Sequence, residues 1–226
     1  MKNLISFHNI QVKRYNKDGL DMPVNPIRKK LMLDLTGRNK KVLDLGCYYY
    51  LFDKQLIDND NEVYGLDLSP KVLQRAKRVG VKAYLCNIET DKWPVKANFF
   101  DTVIAGEVVE HMLDTDQFLQ NIGRVLKKSG TLVLTTPNLA SLGRRLLLLL
   151  GRNPVIETSL NIEMGGHVRY FVKESLYILL EQNGFQIEEF TSDVILFNET
   201  QTLYSSSLAK TFPTLGKSLI IRARKI

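Results

Sequence analysis

The stretch Lys41-Val42-Leu43-Asp44-Leu45-Gly46-Cys47-Tyr48-Tyr49-Tyr50, with Glu62-Val63-Tyr64-Gly65-Leu66-Asp67 after it, decides how this chain folds. Each segment is a short, nearly continuous apolar run bounded by polar residues, the pattern of a strand buried on both faces of a parallel sheet. The first run ends at Gly46 and leads into a helical segment over Leu51–Ile57. The second ends at Asp67, and a helix over Pro70–Val79 follows, with Val72, Ala76 and Val79 on one face. Strand, glycine turn and helix in that order place backbone N–H groups and a helix N-terminus at the carboxyl edge of the sheet. An acid ending the following strand can accept both hydroxyls of a ribose. This arrangement alone also suits a nicotinamide dehydrogenase, but the Gly-x-Gly-x-x-Gly loop of that class is absent.

Working outward, Pro26 opens a helix to about Leu35, with Ile27, Leu31 and Leu35 at helical spacing, and Gly37 ends it. Residues 1–23 are mixed and polar and read as an extended arm or cap. Lys82–Leu85 is a third strand, Phe100–Ala105 a fourth, Gln117–Leu126 the helix behind it, and Gly130 a turn before a fifth strand over Thr131–Thr136. Strands alternating with helices define an α/β class with a parallel sheet covered on both faces. Beyond residue 137 the rhythm changes to a leucine-rich helix over Leu139–Leu150, a Gly165-Gly166 loop, a helix over 173–183, a strand over 185–191 and a final strand over Ser218–Ala223.

The 226 residues suit one domain spanning 1–226, with 1–36 as an N-terminal arm and cap helix and 137–175 as a cap on the substrate side. A hydrophobic fraction of 44% excludes a disordered chain. No run approaches the roughly 18 apolar residues of a spanning helix. Met1-Lys2-Asn3-Leu4-Ile5 is too short in apolar content for a signal peptide, so a cytoplasmic location is expected. Cys47 and Cys86 have neither metal-ligand nor disulfide spacing. The net charge of +7 admits an anionic partner, but Lys and Arg are spread along the chain, as on a generally basic soluble surface.

Several motifs together carry a resemblance. Val42-Leu43-Asp44-Leu45-Gly46-Cys47 resembles motif I of class I S-adenosylmethionine-dependent methyltransferases, and Val63 to Pro70 resembles their acidic second motif. Asn87-Ile88-Glu89, Phe99 to Val103 and Gly184-Phe185 resemble later landmarks of the same superfamily. The resemblance covers roughly residues 38–190 and the last strand. It implies a doubly wound, seven-stranded Rossmann-like sheet, mostly parallel with an antiparallel last strand and helices on both faces. It also implies S-adenosyl-L-methionine as cofactor. Asp44 would orient the loop or the methionine amino group, and Gly46 and Cys47 would line the methionyl part, with Gly106 at the same edge. Asp67 would take the ribose diol, Leu68 and Ile88 would sandwich adenine, and Asn87 would reach its exocyclic amine. Positions 48 and 50, glycines in the family pattern, are tyrosines here. They either pack outward from a shifted turn, weaken the cofactor site, or cover the sulfonium through cation–π attraction.

The fourth strand runs into Gly106-Glu107-Val108-Val109-Glu110-His111, where residues 107, 110 and 111 would share one face of a helical turn. His167, in Gly166-His167-Val168-Arg169-Tyr170-Phe171, falls at the same sheet edge. The set resembles that of the ubiquinone-biosynthesis O-methyltransferases and of the small-RNA 2′-O-methyltransferases. The resemblance implies a divalent metal held by Glu107, Glu110, His111 and His167, with Glu107, His111 and His167 as catalytic residues. Two carboxylates with two imidazoles suit Mn²⁺, Co²⁺ or Zn²⁺ better than Mg²⁺. The rival is metal-free general-base catalysis by His111 or His167.

The acceptor side is expected from residues 1–36 and 137–175. Five leucines at 146–150 after Arg144-Arg145 make a lid, a dimer surface or a peripheral membrane contact. No RNA-recognition signature is present, so a small metabolite, saccharide or lipid-linked acceptor is expected rather than a nucleic acid, on a monomer or homodimer. The alternative class is a non-catalytic binding protein that keeps the fold with a weakened cofactor site.

Overall fold

The computed structural model describes residues 25–47, 50–154, 166–198 and 201–226, with the backbone alone for Tyr50 and Leu51. The expectations for the arm at 1–23, for Tyr48 and Tyr49 and for Gly165 fall outside these residues.

In chain order the elements are α1 (Pro26–Thr36), β1 (Lys41–Leu45), α2 (Tyr50–Asp58), β2 (Glu62–Asp67), α3 (Pro70–Arg78), β3 (Lys82–Leu85) and β4 (Phe100–Gly106). A 3₁₀ turn (Val109–His111) leads to α4 (Thr115–Val125), β5 (Leu126–Pro137), α5 (Leu142–Leu149), α6 (Lys173–Gln182), β6 (Phe185–Thr191), β7 (Ile195–Leu196) and β8 (Tyr204–Ser205). Last come α7 (Ser206–Thr211) and β9 (Ser218–Lys225). Seven strands form one sheet in the order β3-β2-β1-β4-β5-β9-β6. The strands from β3 across to β5 pair in parallel, and β9 inserts antiparallel between β5 and β6. This is the doubly wound sheet with an antiparallel last strand that the motifs imply.

Local chemistry sets the helix ends. The Asn25 side chain accepts the Ile27 N–H, Pro26 occupies the first turn, and Gly37 ends α1 at φ 82°, where a Cβ would be strained. Ser69 caps α3 by accepting from the Val72 amide, and Asp114 caps α4 by accepting from the Gln117 amide.

Alternation along the strands divides the core in two. Leu43, Leu45, Leu66, Val103 and Ala105 face α4 and α6, packing on Phe118, Ile122, Leu176 and Leu180. Val42, Val63, Ile104 and Val133 face the other way, onto Met32 and Leu35 of α1, Phe52 and Leu56 of α2, and Val72 and Ala76 of α3. Period two therefore puts Asp44 and Asp67 on this second face, beneath the N-terminus of α2.

Two expectations need correction. The turn at Gly130 is a bend inside one continuous strand: β5 starts at Leu126, Ser129 takes φ 58°, and the β4–β5 register shifts between Phe100 and Thr102. An added Cβ on Gly130 would lie 2.9 Å from the Lys127 carbonyl oxygen, so the bend packs too tightly for a side chain. The leucine-rich helix is shorter than expected, Leu142–Leu149, because residues 139–141 form a turn in which Asn138 Oδ1 accepts the Ala140 N–H.

Candidate active site

The carboxyl ends of β1, β2 and β4 converge around Gly46. Gly46 sits at φ 69°, donates its N–H to the Leu66 carbonyl at 2.8 Å, and would bring a Cβ to 3.3 Å from Val108 Cγ2. The left-handed conformation and the close approach both require glycine here. Gly106 ends β4 under α1, where a Cβ would meet Met32 Cε at 2.8 Å. Cys47 is fully buried, and its thiol packs over Gly65, so its side chain belongs to the core and its backbone is the part left for a ligand. Burial among carboxylates pushes the Cys47 thiol pKa far up, so it is no nucleophile.

Asp67 is buried, with Oδ1 accepting the Ser69 N–H at 2.7 Å. Burial raises its carboxyl to about 7 against the opposing pull of the Ser69 and Leu68 amides. Asp44 is likewise raised to about 7, first by burial. On this edge the described residues offer carboxylates and backbone N–H groups, and none of Asp44, Asp53 and Asp67 has an ion-pair partner among them. That donor set fits a ligand carrying positive charge and a ribose diol. Asn87 is partly held by its own loop, its Oδ1 accepting the Glu89 N–H at 3.1 Å. Ile88 is buried and Leu68 is half-buried beside Asp67. Trp93 is a packing residue, buried and donating Nε1–H to the Ile88 carbonyl at 2.9 Å.

Beyond β4 the structure brings three of the four expected metal-site residues together. One ligand atom from each of Glu110, His111 and His167 can be chosen so that all lie within 4.8 Å of one another. The imidazole centroids of His111 and His167 are 5.0 Å apart. His111 Nδ1 lies 3.1 Å from the Gly166 carbonyl oxygen, which can only accept, so Nδ1 carries the proton and Nε2 the lone pair. Glu110 is 1% exposed, its Oε2 accepts the Thr136 hydroxyl at 3.0 Å, and its Oε1 has no hydrogen-bond partner. His167 Nε2 stands 3.9 Å from that oxygen. Burial first, and then the Glu107 charge, push the Glu110 carboxyl well above the ordinary range. The backbone closes the cluster: the Glu110 carbonyl accepts the N–H groups of Val168 and Arg169. A buried carboxylate with an orphaned oxygen, clustered with two imidazoles, is a donor set that fits a divalent transition metal.

Glu107 is placed differently. A helical face shared with residues 110 and 111 does not form, because Glu107 takes φ 59° and the 3₁₀ turn starts only at Val109. Its carboxylate pairs instead with Arg28 at 3.0 Å and accepts the Thr135 hydroxyl at 3.0 Å. Arg28 also donates to Ser218 Oγ at 3.3 Å, and Ser218 is held in turn by Asp193. Sequence reasoning missed Arg28, Thr135 and Asp193, while Thr136 was expected at the border of the acceptor. Thr135 lies near the carboxyl end of β5 and could have been found from its place at the sheet edge. Nothing in the basic run Arg28-Lys29-Lys30 marks which residue turns inward.

Comparison with known proteins agrees with the fold. A family model described as a methyltransferase domain matches residues 22–189. The chain belongs to that family. Over 161 residues it is 29% identical to the mitochondrial ubiquinone biosynthesis O-methyltransferase of Homo sapiens, covering 66% of this chain and 42% of the human protein. It is 27% identical over 146 residues to the ubiquinone biosynthesis O-methyltransferase of Coxiella burnetii, covering 61% of this chain and 62% of that one. The chain thus spans about half the length of these curated relatives. Among solved structures, the N-methyltransferase NodS from Bradyrhizobium japonicum in complex with S-adenosylhomocysteine superposes with a TM-score of 0.61 at 17% identity, covering 97% of this chain and 98% of that one. An S-adenosylmethionine-dependent methyltransferase from Mesorhizobium loti gives 0.62 at 19% identity, covering 92% and 100%. These two establish the fold.

Proposed function

We propose that the chain is an S-adenosylmethionine-dependent methyltransferase that methylates an oxygen of a small metabolite, saccharide or lipid-linked acceptor. A divalent cation held by Glu110, His111 and His167 completes the site. The observation that carries the metal is the buried, unpartnered Oε1 of Glu110, 3.9 Å from His167 Nε2, within a cluster in which one ligand atom each of Glu110, His111 and His167 lie within 4.8 Å of one another. Family membership and the buried carboxylates at the ends of β1 and β2 support the cofactor.

Bound cofactor supplies an electrophilic methyl group on a positively charged sulfur, and a divalent cation supplies Lewis-acid polarisation of an acceptor hydroxyl. Asp67 accepts the ribose hydroxyls, fixed in direction by the Ser69 amide. Gly46 and Cys47 let the backbone approach the methionyl part. Arg28 and Thr135 hold Glu107 beside the cluster, where it adds negative charge without joining it. Alignment of nucleophile and methyl carbon in a closed site then supplies much of the rate, so little acid–base help is needed.

A second reading is favoured by the 3.9 Å approach of His167 Nε2 to Glu110: an imidazole oriented by a carboxylate, acting as a metal-free general base. Chelation separates the two. On the metal reading, methyl transfer to an acceptor with two vicinal hydroxyls falls on dialysis against chelator and returns with Mn²⁺, Co²⁺ or Zn²⁺, and His167→Ala abolishes the metal-dependent part. Full activity of His167→Ala in chelator would overturn it.

A further inference from the structure

Asp53 sits in the first turn of α2, fully buried, with neither carboxylate oxygen hydrogen-bonded as an acceptor. Its neighbour is Asp44, on the face of β1 that α2 covers, close enough for a carboxyl–carboxyl hydrogen bond. Two ionised carboxylates have no donor between them, so that contact becomes a hydrogen bond only when one of the pair holds a proton. The other titratable groups facing the pair are Asp67 from β2 and the thiol of Cys47 from the turn. Cations on α2 itself and on α1 engage surface acids, Lys54 with Asp58 and Lys30 with Asp34, and among the described residues none pairs with Asp44, Asp53 or Asp67.

We propose that Asp53 is a second acid of the cofactor's amino-acid subsite, forming with Asp44 a carboxyl pair that holds one proton when no cation is seated and releases it to water when an α-ammonium group binds. The proposal rests on the cofactor reading above and deepens it. The balance is simple: the protonated pair carries one negative charge, the ligand's ammonium arrives with one positive charge, and one proton leaves as the second carboxylate ionises against it. No bond to carbon or sulfur is involved. The orphaned oxygens of Asp53 are the structural sign, because a fully buried acid without donors is costly unless it is protonated or matched by a cation. The fit to this ligand class follows from position, since Asp44 immediately precedes the Leu45-Gly46 turn and Asp67 lies on the same face of the adjacent strand.

The test is calorimetric titration of the full chain with S-adenosylhomocysteine just below neutral pH, in two buffers of different ionisation enthalpy. The wild-type protein is expected to release roughly one proton per ligand bound, with affinity rising up to about tenfold per pH unit through the pair's titration. In Asp53→Asn the release should fall by about that one proton, leaving only what Asp67 contributes, and the pH dependence of affinity should weaken. Binding without buffer-dependent heat in the wild type, or unchanged proton release in the variant, overturns the proposal. Absence of any binding by the wild type overturns the cofactor reading instead. Should Asp53→Asn fail to fold, infrared difference spectroscopy of the wild type gives the answer: a protonated-carboxyl band must disappear when the ligand is added. Its persistence overturns the proposal.

Discussion

Gly65→Ala tests the packing beneath the cofactor turn. Gly65 lies opposite Asp44 in the β1–β2 register, and a Cβ built there would stand 2.7 Å from Cys47 Sγ, 3.1 Å from Cys47 Cβ and 3.3 Å from Val81 Cγ1. Gly65 is not among the residues with positive φ, so the effect is steric rather than conformational. Overpacking of this kind costs about 1–3 kcal/mol. For a chain of this size that lowers Tm by roughly 2–4 °C per kcal/mol. Cys47→Ala removes the atom in the hardest clash and by itself costs about 1 kcal/mol for the lost sulfur. The double variant should therefore be more stable than the sum of the two single losses, by about 0.5–2 kcal/mol, with rescue incomplete because the Cβ of residue 47 remains. Chemical denaturation of the four proteins measures the cycle. Additivity within about 0.5 kcal/mol would refute the claim that the Cys47 thiol packs on Gly65.

Other perturbations have equally definite outcomes. The folded carboxyl of Asp67, raised to about 7, titrates above its unfolded value, so its stabilising proton uptake is complete below roughly pH 4 and is lost as pH rises through about 7. Asp67→Asn should therefore stabilise the ligand-free protein by about 1–3 kcal/mol near pH 8, with the gain vanishing near pH 4; a gain independent of pH in thermal melts would exclude this cause. Arg28→Met leaves Glu107 without its cation and should cost on the order of 1–3 kcal/mol, with a lower kcat; unchanged stability and kcat would remove Arg28 from the site's support. Leu149 and Leu150 are 82% and 71% exposed, so replacing both with Ser should change stability by no more than about 0.5 kcal/mol each, and a loss above ~2 kcal/mol would mean that this face is covered.

The sheet was legible because strands buried on both faces read as continuous apolar runs, and because Ser69-Pro70 and Gly37 mark helix ends by chemistry that tertiary contacts do not override. The convergence of Glu110, His111 and His167 was legible through their resemblance to a known arrangement. Glu107 was not, since its left-handed backbone is imposed by the turn out of β4 and leaves no trace in Gly-Glu-Val-Val-Glu-His. Arg28 looks like its neighbours Lys29 and Lys30, and only the packing of α1 over β5 and β9 selects it. Asp53 reads as an ordinary first-turn acid, solvated and favourable to the helix dipole. Its burial follows from the packing of α2 on the sheet through Phe52 and Leu56, a tertiary contact that no local pattern announces. The two-residue strands β7 and β8 and the short α7 are below the length at which a period can be read.

The central claim, a cofactor seated at the carboxyl ends of β1 and β2, is tested most directly by calorimetric titration with S-adenosylhomocysteine of the wild type beside Asp67→Ala. The wild type should bind saturably with one ligand per chain. Loss of the ribose-accepting carboxylate should weaken binding by roughly 10- to 100-fold, the equivalent of about 1.5–3 kcal/mol. No saturable heat in the wild type, or equal affinity in the two proteins, would contradict the account.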